Sequence, residues 1–260
     1  MKTPPLVAGI GGIAIFLALW ELAVRSGLAQ YDYLPPPSEI GAALVSMPAT
    51  RPIATEFAHT LTAVFLGWTI AVLLGLIGGT ALGLSAVARR YGLATVEVLR
   101  SLPGIAFVPL AMLLFGFSLQ MELAVIVFPA IWPVFVNTMS GMQALPLRLH
   151  DVAHSMRLSH ADALFKIYMP AAAPAILVGC RLSLTLSLVL AVIAEIVGNP
   201  EGLGYAVVRE QQGLQPAFMF AYVFLIGLTG IALNSLVVAA GKAIIPGELQ
   251  RPSSAERRAA

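Results

Sequence analysis

The stretch 150–170 reads HDVAHSMRLSHADALFKIYMP and is a polar island between long apolar runs. Residues 148–156 can form a short helix with Leu149, Val152 and Met156 on one edge, at i, i+3 and i+7. Ser159, with Asp162 three residues later, resembles a capping box and starts a second helix running to Tyr168. In that helix Ala161, Leu164, Phe165 and Tyr168 make an apolar stripe, and Pro170 is expected to stop it before the next apolar run. Two short helices, each with one greasy edge, suit either a headgroup surface or a groove on a partner protein. The modest basic content and the break between the helices favour the partner.

What flanks the island decides the fold class. The chain of 260 residues is 58% hydrophobic and 11% charged, against about 25% charged in ordinary soluble domains. An all-α, polytopic membrane protein is the expected class, because a backbone in lipid must satisfy its own hydrogen bonds. Six spans can be drawn. The first is the uncharged run from Thr3 to Trp20, read as a retained helix in preference to a cleaved signal. A proline-rich connection, 30–56, follows, with Ser38 as the expected N-cap of a short helix through Leu44. The next runs are Leu61 to Ala88, Ser101 to Met121, Leu123 to Leu147, Ala171 to Val197 (apolar except for Arg181 and Glu195) and Gln211 to Gly241. Gly75, Gly79 and Gly83 recur every fourth residue, which suits close helix packing in lipid. Pro129 and Pro133 predict a helix that faces protein or water, where freed carbonyls find partners.

Basic residues set the expected orientation. Lys2, Arg89, Arg90, Arg148, Arg157, Lys166, Lys242, Arg251, Arg257 and Arg258 fall on one side, and Arg25, Arg51 and Arg209 on the other. This puts both termini and the island in the cytoplasm. The chain divides into 1–58 (first helix and proline-rich loop), 59–245 (the apolar core, holding the loop 148–170) and 246–260 (a flexible tail). Cys180 is alone in an apolar run and is read as packing. The sequence contains no CxxC, HExxH, phosphate-binding GxxxxGK[ST] or GxSxG pattern, so no local signature marks a metal site, ATP hydrolysis or a serine nucleophile.

Asp151-Val152-Ala153, then Arg157, then Ile167-x-Met169-Pro170 resembles the EAA loop of ABC importer permeases, E-A-A, three residues, G, nine residues, I-x-L-P. The spacing matches throughout. Asp151, Val152, Arg157 and Met169 depart from the family residues. Arg157 stands where the family has a glycine in the turn, and a left-handed backbone there costs an L-residue about 1 kcal/mol. LPPPSEI (34–40), LRSLPGIAFVPLAMLLFGFS (99–118) and AEIVGNPEGLGY (194–205) are similar, in order, to segments of the nitrate/sulfonate/taurine subgroup.

The resemblance implies a type I importer (MetI-like) permease fold with a cytoplasmic coupling-helix loop, in a bacterial inner membrane. It implies a permease subunit, not an enzyme, for a small anionic solute of sulfonate, taurine or nitrate type. ATP and magnesium would belong to separate ATPase subunits, with no cofactor on this chain, no metal site and no nucleic-acid partner. A second permease copy, more readily identical than different, and an external substrate-binding protein complete the implied assembly. ATPase docking would use Asp151, Ala153, Ser155, Met156, Arg157, His160, Leu164 and Phe165. Arg100, Asn137, Arg181 and Glu195 are the polar groups near spans that could line a path, with Arg100 as an anion attractor. Gly202, Leu203 and Gly204 are candidates for the binding protein. A stand-alone ion-coupled carrier would need coupling groups such as Glu195 and Arg181, yet gives no reason for the loop. An intramembrane enzyme ranks last, since His150 and His154 at i, i+4 have no further ligand nearby in sequence.

Overall fold

Uncharged runs in a chain this apolar can satisfy their backbone groups only within the segment, and helices result. The computed structural model describes residues 5–28 and 33–244, which are predominantly helical with no strand among them. In order they are α1 (Pro5–Arg25), α2 (Pro37–Thr50), α3 (Ile53–Leu84), α4 (Ala86–Ser101), a 3-10 turn (Gly104–Phe107) and α5 (Val108–Phe115). Then come α6 (Leu119–Gln143), α7 (Leu147–Ser155), α8 (His160–Ala163), a π-helical turn (Leu164–Tyr168), α9 (Met169–Gly198), α10 (Gly202–Gln212) and α11 (Pro216–Ile244). Lys2 and the tail 246–260 lie outside the described residues.

The centre is α3, α6 and α9. Small residues let the backbones close: a Cβ at Gly79 would lie 2.5 Å from the Phe135 carbonyl oxygen, and one at Gly83 2.6 Å from Met142 Cβ. The expected glycine face therefore exists and packs on α6. The prolines of α6 face protein as expected. Pro129 packs on Gly104 of the 3-10 turn, and the Pro133 carbonyl lies 2.8 Å from where a Gly179 Cβ would stand. Cys180 is buried beside Val134, Met142, Ala172 and Ile176, and accepts at its carbonyl from Trp68 Nε1 at 3.0 Å.

Three expectations are corrected. Ser101 to Met121 is not one unbroken helix. Leu102 precedes Pro103 and is pushed to extended backbone (φ −70, ψ 129), so α4 ends at Ser101. α4 and the segment Gly104–Phe115 then meet at 81°. Four described helices are long and apolar enough to cross a membrane, and five if that bent pair counts as one; part of α1's apolar run lies outside the described side chains. Ser38 is not an N-cap either. α2 begins at Pro37 and continues through Pro48 to Thr50, while the Ser38 N–H and hydroxyl both donate to the Glu21 carboxylate at 3.0 and 2.8 Å. α2 packs inward, with Ala43 and Met47 buried against Leu203, Ala206 and Tyr222. Finally, Pro170 does not stop a helix. α8, the π turn and α9 form one continuous helix from His160 to Gly198. The wider π turn just before Pro170 makes room for a ring that would clash with the carbonyl four residues back in an α-helix.

Candidate functional site

Because α6 and α9 run in opposite directions about the loop 144–168, each of α3, α6 and α9 has one end at this loop and the other far from it. Polar chemistry collects at both ends, in different forms.

At the loop end, α7 closes with a Schellman pair: Leu158 N–H donates to the Ala153 carbonyl at 3.1 Å, and Arg157 N–H to the His154 carbonyl at 3.0 Å. Arg157 occupies the left-handed position with φ 49, the conformation expected of a glycine at that place. α8 starts at Ser159, whose Oγ accepts from Asp162 N–H at 3.1 Å and donates to Asp162 Oδ2 at 2.7 Å. Lys166 pairs with Asp162 one turn on. The His150 and Tyr168 rings, 4.9 Å apart, press α7 against the π turn.

The docking candidates separate into two sets. Asp151, Ser155, Met156, Arg157, His160 and Phe165 are exposed, Met156 by 63% and Phe165 by 68%. Ala153 is buried, and Leu164 packs into the cluster of Val134, Met142 and Ile176; both hold the loop from beneath. Val152 and Leu147 also present exposed apolar surface. Val152 stood on the predicted edge, and its i, i+4 relation to Met156 was the signal for including it.

The path candidates do not converge. Arg100 is exposed and bonds Glu97 on its own helix at 2.7 Å. Asn137 Nδ2 donates to the Pro133 carbonyl at 2.8 Å. Arg181 is exposed midway along α9, and its Nε donates to Asn234 Oδ1 of α11 at 2.6 Å. Glu195 is buried at the far end of α9 and serves a different construction.

There, the N-terminus of α10 is bracketed by side chains. Leu203 N–H donates to Thr60 Oγ1 at 2.9 Å, and Gly204 N–H to Glu195 Oε2 at 2.7 Å. The Thr60 hydroxyl donates onward to Glu195 Oε1 at 2.7 Å. A carboxylate at a helix N-terminus also meets the positive end of the helix dipole. Gly202 has φ +88, and a Cβ there would stand 2.2 Å from Glu195 Oε1, so the glycines are required by this contact. Gly202, Leu203 and Gly204 are all buried. Their neighbours Glu201 and Tyr205 reach a cleft of about 370 Å³ shared with Glu56, His59 and Arg209.

An ion network surrounds the bracket. Arg51 bonds Glu210 bidentately, both contacts at 2.9 Å, and lies over the Phe218 ring at 4.4 Å. Arg209 bonds Glu56 at 2.5 Å and Glu210 at 2.9 Å, and the Tyr222 hydroxyl donates to Glu56 at 2.6 Å. Burial alone would lower the Arg209 guanidinium, but the bonds from Glu56 and Glu210 outweigh it and hold it above its ordinary range, a fixed cation. None of this is legible in sequence, since Arg51 and Glu210 are far apart in the chain.

Residues 71–248 match the family described as binding-protein-dependent transport system inner membrane component. The nitrate import permease protein of Synechococcus elongatus is 27% identical over 94% of this chain and 92% of its own length. The taurine transport system permease protein of Escherichia coli is 27% identical over 93% of this chain and 90% of its own length. Among solved structures, a chain of the inward-facing MetNI methionine ABC transporter superposes with a TM-score of 0.64, covering 72% of this chain and 93% of its own, at 18% identity; that likeness concerns the fold.

Proposed function

This chain belongs to the family of binding-protein-dependent transport system inner membrane components and is the permease subunit of an ABC importer; from that premise we propose how its two polar ends work. The exposed face of α7 and the π turn, Val152, Met156 and Phe165 rimmed by Asp151, Ser155, Arg157 and His160, docks a separate ATPase subunit. The observation that carries this reading is the backing of that face. Ala153, Leu164 and Tyr168 anchor it in the helical core, and it runs without a break into α9. A push on Phe165 therefore moves a rod of 39 residues, roughly 58 Å long at about 1.5 Å per residue. ATP and magnesium act on the partner, and differential contacts in its open and closed states bias the permease between inward and outward access. The loop and both termini are assigned to the cytoplasm by their basic residues, and the bracket end to the opposite face, where a substrate-binding protein delivers the solute.

The solute is proposed to be a small anion, of nitrate, taurine or other sulfonate type, as in the relatives' names. Arg181 is the residue to attract it. A charge exposed at mid-span is costly in lipid and faces water or protein in the assembled state. A second copy of this chain across from Arg181 and Asn234 would enclose such a path. Arg100, neutralised by Glu97, is not retained in that role. Assembly with the partner ATPase in nanodiscs tests the reading: binding-protein-stimulated ATP hydrolysis is expected to be lost in Phe165→Asp, with membrane insertion kept. Unaltered stimulation in that variant would refute the docking face. Uptake by the permease alone, driven by an ion gradient without ATP, would favour the stand-alone carrier.

A further inference from the structure

The bracket end carries more negative charge than its hydrogen bonds explain. Arg51 and Arg209 pair with Glu56 and Glu210. That leaves Glu122, Glu195 and Glu201 with His59 as their nearest basic group among the described residues. Glu122 and Glu195 are 0% and 1% exposed, and buried carboxylates without countercharge are unfavourable by several kcal/mol. Glu122 Oε2 has no hydrogen-bond partner at all. One ligand atom from each of His59, Glu122 and Glu195 falls within 4.8 Å of the others.

The histidine is arranged as metal-binding histidines are. Its Nδ1 lies 2.9 Å from Glu201 Oε2, while its Nε2 faces Glu122 Oε1 at 3.0 Å. With the Nδ1 proton donated to Glu201, the Nε2 lone pair points at a carboxylate oxygen, and a cation between them removes the repulsion. A carboxylate on the far nitrogen is the usual means of fixing the tautomer and orientation of a ligating imidazole. Asn199 Nδ2 donates to Glu122 Oε1 beside His59, which leaves Glu122 Oε2 as the carboxylate oxygen free to take a cation. The cleft that His59 and Glu201 line supplies the entry route.

We infer that His59, Glu122 and Glu195 form a binding site for a divalent transition-metal ion, with Glu201 as the positioning carboxylate behind His59. One imidazole and two carboxylates are a donor set for zinc, cobalt or manganese in preference to magnesium or calcium, which take oxygen alone. The ligands come from α3, α6 and α9, so the ion clamps the three central helices at the end remote from the loop. It stands independently of the docking reading, since neither uses the other's residues.

The test uses the full chain, purified with chelator in nanodiscs and titrated with Co²⁺ and then Zn²⁺. The expected result is one Co²⁺ per chain, seen as visible d–d absorption and displaced stoichiometrically by Zn²⁺. Glu122→Gln abolishes it. Glu201→Gln, at a side chain 65% exposed and so without effect on folding, weakens binding by about 10- to 100-fold. Substoichiometric metal, or binding equal in wild type and Glu201→Gln, overturns the inference.

Discussion

The two ends of α9 solve opposite problems. At the loop end the chain leaves apolar side chains such as Met156 and Phe165 in the open and tolerates an arginine at φ 49. At the bracket end it buries carboxylates, satisfies most of them with hydroxyls and amides, and reserves glycine for the closest contacts. The first arrangement is weak within one chain and, on the docking proposal, is completed by a partner. The second is rigid in itself. One helix joins them, so a movable surface is tied to a fixed one.

The contrast can be broken most severely at the bracket. Gly204→Val should destroy the folded permease, because the first added carbon already stands 2.4 Å from the Val192 carbonyl and neither backbone can yield. Detergent-solubilised yield and thermal melting report it, and a normal melting curve would mean the α10 contact is not as drawn. At the loop, Leu164→Asp and Phe165→Asp separate anchoring from docking. Leu164→Asp buries a charge and should cost about 3 kcal/mol or more, while Phe165→Asp, on exposed surface, should change stability by no more than about 0.5 kcal/mol. Similar melting temperatures for both would erase the distinction between the two sets of residues. Arg181→Gln should leave folding intact and reduce uptake of an anionic solute by about tenfold, the effect of one weak ion contact of about 1.4 kcal/mol; unchanged uptake would place the path elsewhere. The smallest effect is expected from Arg157→Gly, which relieves the left-handed strain. It should stabilise the loop by up to about 1 kcal/mol, visible as slower amide exchange at Leu158, whose N–H closes the Schellman turn.

The loop was legible because its signals are local. Ser159 and Asp162 are three residues apart, and Val152 and Met156 four, so capping and the apolar edge follow from spacing. The glycine stripe on α3 was legible for the same reason. What was misread was continuity. Absence of charge from Ser101 to Met121 suggested a span, but Pro103 imposes an extended residue before it. Pro170 suggested a stop, but a π turn absorbs its ring. The bracket was only half visible. Glu195 and the GLG segment stood out, yet their partners Thr60, His59 and Glu122 lie on other helices, and only helix packing brings them together. Leu214 shows the same limit: it takes φ 54 at the end of α10 although Gly213 precedes it, and composition alone would assign the turn to the glycine.

The exposed apolar face of α7 and the π turn is the proposed docking surface, and ATPase coupling in the reconstituted importer measures its role most directly. With Phe165→Asp in an assembled, correctly inserted permease, binding-protein-stimulated ATP hydrolysis should fall to the basal rate. Full stimulation in that variant would contradict the proposal that this face receives the ATPase.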